Sequence, residues 1–335
     1  MSHNSSALSG YQKTNGPVDF VRNFLFRMPD VCRDDTCVRA PLIMDVHLEG
    51  WIGIPHGGVG MGAIMELVTI LGNYPEREDL RNPLSADFRM GGARVSTGDV
   101  VNVKVSPTES GAEGIIIVEG NAFPYISAAV GYRNNDSHRK DVFASYIPDN
   151  FLHVDNNLIQ LPHYRNCFVC GVERSYPGLK RGFYLLNDYR SGKLVVSTVG
   201  FDDGDKETFY LFQRNSIIHP LALIALLDET MGWAGFMASA SGAVTVRIGF
   251  TFYRDVHVGE RLVVLGRGEK VRGNISSRLF YWTSGGVAVV DDKGKLEIVI
   301  AASGQYMGVA DLTTQMKTEL IPEEFTSRAF DLAGS

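Results

Sequence analysis

The feature that most restricts this chain is an internal repeat. Ile54-Pro55-His56-Gly57-Gly58 leads into an apolar helical pattern from Val59 to about Leu71, and Ile217-Ile218-His219-Pro220 leads into another that runs to about Ala238. Each histidine is followed ten residues later by a glutamate, Glu66 in the first segment and Glu229 in the second. Strand-like runs flank both helical patterns. Leu42 to Glu49 precedes the first, and Leu84 to Met90, Asp99 to Val105, Gly114 to Glu119 and Tyr125 to Tyr132 follow it. Gly182 to Leu186 and Lys193 to Val199 precede the second; Val244 to Tyr253, Glu260 to Leu265, Ser277 to Thr283, Val287 to Asp291 and Leu296 to Tyr306 follow. Gly, Asp and Ser punctuate these runs, as short turns between antiparallel strands require, and Asp291-Asp292-Lys293-Gly294 reads as a hairpin loop. One long helix plus a run of antiparallel strands, twice over, is an α+β duplication. On this register Phe88 falls near Phe250 to Phe252.

A length of 335 residues accommodates two domains of ordinary size. The repeat divides it into an extension (1–40), a first unit (41–133), a polar linker with Pro148 and Pro162 (134–163), a second unit (164–310) and a tail (311–335). Hydrophobic residues at 44% and charged residues at 21% fit a soluble globular protein. A net charge of −6 leaves no surplus of Lys and Arg to neutralise phosphates, which argues against a general nucleic-acid binder. Met1 to Gly10 is polar and Ser-rich, and the aliphatic run Ile217 to Leu227, broken by His219 and Pro220, is too short to span a bilayer. A cytoplasmic location with no membrane partner is the expectation.

The cysteines are Cys32, Cys37, Cys167 and Cys170, and free thiols in a reducing compartment are expected. The Cys167-x-x-Cys170 pair has zinc-knuckle spacing, but Cys32 and Cys37 complete four ligands only if two distant segments meet, so structural thiols are expected instead. Gly57-Gly58-Val59-Gly60-Met61-Gly62 lacks the G-x-G-x-x-G spacing, and antiparallel strands follow it, which excludes a dinucleotide-binding reading. Gly60 and Gly62 instead suit a close approach of the two helices or of a ligand.

Asn166-Cys167-Phe168-Val169-Cys170-Gly171, with Gly178-Leu179, resembles the opening of the hotdog-fold thioesterase superfamily in its phenylacetate-degradation-type branch. Leu226-Leu227-Asp228-Glu229-Thr230-Met231-Gly232-Trp233-Ala234 is similar to that branch's central-helix motif, in which an Asp or Glu is the catalytic acid. His56-Gly57-Gly58 is similar to the His-Gly-Gly that precedes the same helix, and the resemblance runs from about Ala40 to Val309. It implies a double hotdog: two antiparallel sheets, each wrapped around a long central helix, with the active site between units. Backbone N–H groups at one unit's helix N-terminus would hold a thioester carbonyl, and a carboxylate on the other unit's helix would attack it or activate water. The implied substrate is an acyl-CoA or similar acyl thioester, with no metal and no bound cofactor. Open sheet edges and faces would let such a chain pair further into a homo-oligomer, and the amphipathic segment Val18 to Met28 is suited to cover one such surface.

The two repeats differ where the chemistry would lie. Unpaired N–H groups and the dipole at a helix N-terminus stabilise a developing oxyanion, and Gly57 and Gly58 let a substrate approach the backbone closely. Their counterparts are Pro220, comfortable in a first helical turn but with no N–H, and Leu221. Asp228, nine residues after His219, stands where the family's catalytic carboxylate sits, and its counterpart is Met65. One complete site, Gly57 and Gly58 facing Asp228, is therefore expected; the other, with Pro220 and Met65, has lost both parts. Asp228 on an apolar helix is costly to bury unless hydrogen-bonded or functional. Glu229 is the competing acid, although its match with Glu66 favours a structural role across the pseudo-twofold axis. His56 and His219 have the chemistry for proton transfer at neutral pH and also suit anchoring the loop before each helix. Thr245 stands where the family often has a hydroxyl that positions water. The expected site is thus Asp228, Gly57 and Gly58 for catalysis, with His56, Glu229 and Thr245 around the substrate. A non-catalytic acyl-CoA-binding protein fits the same residues, since fold alone does not establish chemistry. A hydratase or dehydratase fits less well, because neither repeat has that class's Pro-Gly between its His and a Glu farther along the helix.

Overall fold

The computed structural model describes residues 20–26, 31–72, 80–133, 137–147, 158–188, 192–201, 208–322 and 325. Thirteen strands pair into one antiparallel sheet. They are β1 (Cys32–Arg33), β2 (Val38–Ile43), β3 (Leu84–Met90), β4 (Val100–Thr108), β5 (Gly111–Val118), β6 (Ile126–Tyr132), β7 (Leu158–Gln160), β8 (Tyr184–Asp188), β9 (Gly192–Val199), β10 (Ala243–Phe252), β11 (Arg261–Arg272), β12 (Phe280–Val290) and β13 (Leu296–Gly308). The helices are α1 (Phe20–Leu25), α2 (Gly57–Gly72), α3 (Ser137–Ala144), α4 (Pro220–Ser239) and α5 (Ala310–Gln315).

Strand alternation decides which face of the sheet is covered. In β4, Val101, Val103 and Val105 are buried toward α2 while Asn102 and Lys104 are exposed, the period-2 pattern of a sheet with one face in the core. Across the sheet the order is β1-β2-β4-β5-β6-β3-β10-β13-β12-β11-β9-β8-β7. The runs β2-β4-β5-β6-β3 and β9-β11-β12-β13-β10 are the same sequence of roles: the strand before the long helix lies outermost and the first strand after it innermost. The innermost strands pair edge to edge, with Leu84 opposite Phe252 and Phe88 opposite Ile248, and Phe88 meets Phe250 edge-on at 6.0 Å. The sheets of the two halves, each expected around its own helix, thus join into one continuous sheet.

The long helices α2 and α4 pack against each other on one face of it. They cross closely because small residues lie at the contact: a Cβ on Gly58 would lie 2.4 Å from Ala225 Cα, and one on Gly62 would lie 2.2 Å from Leu221 Cδ1. Gly60 faces the sheet instead, against Ile126. At 20 residues α4 is long and apolar enough to cross a bilayer, but most of it is buried in the core between α2 and the sheet. The segment α1 brings Phe20 and Phe24 onto Phe212 and Phe168, at ring distances of 5.2 to 5.8 Å, so it seals an aromatic cluster beside the helices. On the sheet's other face α3 packs Phe143, with Tyr146 beyond it, against Val263, Leu265 and Val290 in a second, smaller core.

Some local expectations change. Leu42 to Glu49 is not one strand: after β2 the chain makes a 3-10 turn at Val46–Leu48, capped by the Asp45 side chain, before a short strand at Glu49–Trp51. Ser277 to Thr283 and Val287 to Asp291 merge within β12, because Gly285 and Gly286 are not a break. They leave room for Met231 and Phe143, whose side-chain atoms would lie 2.8 Å and 2.5 Å from added Cβ atoms. Parts of the expected N-terminal extension, linker and C-terminal tail lie outside the described residues.

The close helix crossing has a measurable consequence. Gly62→Ala forces a methyl into Leu221 and is expected to cost about 1–3 kcal/mol, the usual penalty for overpacking. Urea midpoints with an unchanged m-value report it, and an unaltered midpoint would contradict the crossing.

Candidate active site

The site forms where the N-terminus of α2 meets the middle of α4. His56 precedes α2, and its Nδ1 accepts the Gly58 N–H at 3.0 Å. The imidazole's Nε2 faces Glu229 Oε2 on α4 at 3.3 Å. The second half repeats the arrangement with partners exchanged. His219 Nδ1 accepts the Leu221 N–H at 3.1 Å, and its Nε2 lies 3.0 Å from Glu66 Oε2 on α2. Each histidine thus caps its own helix and binds the glutamate of the other.

This capping decides which backbone groups are left. In the first half the Val59 N–H goes to the His56 carbonyl and the Gly58 N–H to His56 Nδ1. The Gly57 N–H has no partner among the described residues. The residue itself adjoins Asp228, for a Cβ on Gly57 would fall 3.3 Å from Asp228 Oδ2. In the second half the Leu221 N–H is likewise taken, and the position matching Gly57 is Pro220, which has no N–H. Of the two glycines expected from the sequence as donors, Gly57 has the open N–H, while the Gly58 N–H faces His56 Nδ1 and also stabilises the Asp228 carboxylate.

Asp228 is 7% exposed, and Thr245 Oγ1 on β10 donates to its Oδ1 at 3.0 Å. Burial, with the Glu229 charge, pushes its carboxyl above the usual carboxylate range, against the opposing pull of His56, of the Thr245 hydrogen bond and of the Gly58 N–H. Tyr125, Tyr281 and Tyr306 stand near enough that, after burial, the Asp228 charge also pushes their phenols up. Burial by itself lowers the His56 imidazole, but the Glu229 hydrogen bond, with Cys167, Glu229 and Asp228, carries it to about 9. The Gly58 N–H pulls the other way, because it needs a bare lone pair on Nδ1. While that hydrogen bond is kept the ring carries one proton, on Nε2 toward Glu229; a second proton would turn Nδ1 from Gly58 to Asp228.

All six residues expected from the sequence are therefore brought together: His56, Gly57, Gly58, Asp228, Glu229 and Thr245. Met65 and Pro220 instead line a separate cleft of about 500 Å³, with Arg214 and Phe252. A wider cleft of about 1030 Å³ lies on the sheet's other face beside α3, and none of the six lines it. Three features of the surroundings are not foretold by the sequence. Arg22 Nε and Arg214 Nη2 meet Glu66 at 2.9 Å and 2.7 Å; a fully buried glutamate demands cations, but nothing local marks which arginines supply them. Tyr281 and Tyr306 look like ordinary strand residues. Cys167 meets His56 and Glu229, with the three donor atoms all within 4.8 Å of one another.

Against known structures, this arrangement of helices and sheet aligns with a protein from Thermobifida fusca described as a thioesterase II. The TM-score is 0.50 at 12% identity, over 83% of this chain and 94% of that one. The chain has the hotdog fold. An acyl-CoA thioesterase II from Mycobacterium marinum aligns at a TM-score of 0.48 and 12% identity, over 86% and 96% of the two chains. The dehydratase domain of the polyketide protein PpsC from Mycobacterium tuberculosis aligns at 0.45 and 13%, over 84% and 97%. No family model and no curated protein matches the sequence.

Within this hotdog fold the His219–Glu66 pair is a stability element. Burial raises the Glu66 carboxyl, but the His219 hydrogen bond and charge, with Arg214, more than offset this and hold it at about 2, against 4.5 for a free glutamate. A depressed folded-state pKa gives stability that is present above the unfolded value and lost as pH falls through the folded one. Wild type is therefore expected to weaken between about pH 4.5 and 2. Glu66→Gln is expected to lose about 3–5 kcal/mol at pH 7, because it strands buried cations, and to show a shallower decline in that acid window. Urea midpoints at several pH values measure both, and identical acid slopes for the two proteins would contradict this role.

Proposed function

We propose that the chain hydrolyses an acyl thioester, of the acyl-CoA class, at a single composite site between two hotdog units that arose by tandem duplication. What carries this reading is the pairing of a buried, hydrogen-bonded carboxyl, Asp228, with the open N–H of Gly57 at a helix N-terminus. The duplication is supported by the identical strand order of the two halves and by the exchanged His–Glu pairs.

In this mechanism the thioester carbonyl oxygen sits on the Gly57 N–H, where the helix dipole favours negative charge. Thr245 holds Asp228 Oδ1, which leaves Oδ2 to take a proton from water. The water oxygen bonds to the carbonyl carbon, and the resulting oxyanion rests on Gly57. The carbon–sulfur bond then breaks, and the proton passes from Asp228 to the departing thiolate, giving a free acid and a thiol. The raised basicity of buried Asp228 suits proton abstraction. His56 and Glu229 hold the α2 N-terminus against α4 and so fix the distance between Gly57 and Asp228. The matching position has Met65 for the acid and Pro220 for the donor, so this reading assigns it no hydrolysis. Four free cysteines suit a reducing cytoplasm.

Steady-state kinetics on acyl-CoAs of varied length and aromaticity tests this. Asp228→Asn is expected to lower kcat by about 10²–10⁴-fold, the range for loss of a general base. Gly57→Pro copies the second half and is expected to lower kcat by about 10²–10³-fold, as for a lost oxyanion donor. Gly57→Ala brings a similar crowding but keeps the N–H, and is expected to retain more activity than Gly57→Pro. Turnover unaffected by Asp228→Asn would overturn the mechanism. Tight acyl-CoA binding by wild type without turnover would assign the chain to ligand binding instead.

A further inference from the structure

The Cys167 loop carries a feature that thioester hydrolysis does not use. Cys167 Sγ accepts two backbone N–H bonds, from Val169 at 3.3 Å and Cys170 at 3.2 Å. Gly171 folds the loop tightly, since a Cβ there would lie 2.5 Å from the Cys167 carbonyl oxygen. Sulfur held this way by the N–H groups two and three residues on is the geometry of a knuckle that presents a thiolate to a cation. The loop docks on the first half through the Phe168 N–H and the Glu49 carbonyl, 2.6 Å apart. That contact sets Cys167 beside His56 and Glu229.

The three donor atoms, one each from sulfur, nitrogen and oxygen ligands, converge within 4.8 Å of one another. They do not form a nucleophile–base–acid chain. In such a chain the imidazole's two nitrogens face the two partners, whereas here Nδ1 is occupied by the Gly58 N–H and Nε2 faces Glu229. The twin position in the other half supplies an independent observation. There the His–Glu pair is completed by two guanidiniums, Arg22 and Arg214, on Glu66. Among the described residues Glu229 has no cation beside it other than the His56 imidazole, and the neighbouring place is held by a thiol.

We infer that Cys167, His56 and Glu229 bind a divalent zinc-class cation. Thiolate, imidazole and carboxylate are the donor set zinc takes, and the two anionic ligands balance its charge. Ligand bonds of about 2.0–2.3 Å place tetrahedral donors about 3.5 Å apart, so the cluster closes by about 1 Å around the ion. Binding releases the Cys167 thiol proton. Nε2 then holds the ion, the ring proton moves to Nδ1, 3.9 Å from Asp228 Oδ2, and the Gly58 N–H gives up that nitrogen for the Asp228 carboxylate, on which it already acts. The three residues leave the fourth tetrahedral position to water. The ion would clip the second half's loop to the first half's histidine. Its binding does not depend on whether the chain hydrolyses thioesters.

Titration of the reduced, chelator-treated protein with Co²⁺ tests this, followed by displacement with Zn²⁺. The expected result is one Co²⁺ per chain with a thiolate-to-cobalt charge-transfer band and the visible bands of tetrahedral cobalt, all removed by Zn²⁺. Cys167→Ser is expected to lose the charge-transfer band and Cys32→Ser to keep it, with circular dichroism confirming that both fold. Glu229→Gln, at a partly exposed position, is expected to weaken Co²⁺ binding roughly tenfold or more, which keeps the test decisive should Cys167→Ser fail to fold. No thiolate band in wild type, a band that survives Cys167→Ser, or unchanged affinity in Glu229→Gln would overturn the proposal.

Discussion

The exchange of His–Glu partners between the two long helices is the interaction on which the rest of the molecule depends. Each imidazole spends Nδ1 on the second N–H of its own helix and turns Nε2 to a glutamate one helix away. This locks the N-terminus of each helix over the middle of the other, with Gly58 against Ala225 and Gly62 against Leu221. Buried polar groups are tolerable only when paired, so neither helix can slide without stranding a carboxylate or a ring. The pairing also leaves a single position, the first residue of each helix, where a backbone donor can stay open. That position is glycine in one half and proline in the other.

From that shared frame the halves diverge in charge. Around His219, Glu66 is fully buried and is held by Arg22 and Arg214, a set of ion pairs that favours stability. Around His56, the place of the guanidiniums is taken by the Cys167 knuckle, and the neighbouring helix position carries Asp228, tied by Thr245 and raised by burial. One half thus saturates its polar groups, while the other keeps a carboxyl and an amide with capacity to spare. Such a division is consistent with the proposed duplication, in which a single site is kept while its twin becomes structural scaffolding.

Much of this was legible in the sequence because the repeat is written in residues that have few alternative uses. The spacing from His56 to Glu66 recurs from His219 to Glu229, the strand runs alternate clearly, and Pro220 and Met65 mark the divergence directly. What was not legible depends on contacts between distant segments. The Gly58 N–H is consumed by a side chain only two residues away, yet which ring nitrogen faces it is set by Glu229 on another helix. Gly285 and Gly286 read as a break because their reason, room for Met231 and Phe143, lies in helices elsewhere in the chain. The Cys167 spacing was visible, but its partners were sought among Cys32 and Cys37. Of these, Cys32 is exposed on β1, and the Cys37 thiol points to Asp34. The partners that meet Cys167 are a histidine and a glutamate, residue types too common for spacing alone to single out.

The most direct test of a single composite site is a crystal structure of the chain with a non-hydrolysable acyl-CoA ketone analogue. The analogue is expected once per chain, with its carbonyl oxygen within hydrogen-bond distance of the Gly57 N–H and its carbonyl carbon facing Asp228. An analogue seated with its carbonyl at Pro220 and Met65, or equally in both halves, would contradict it.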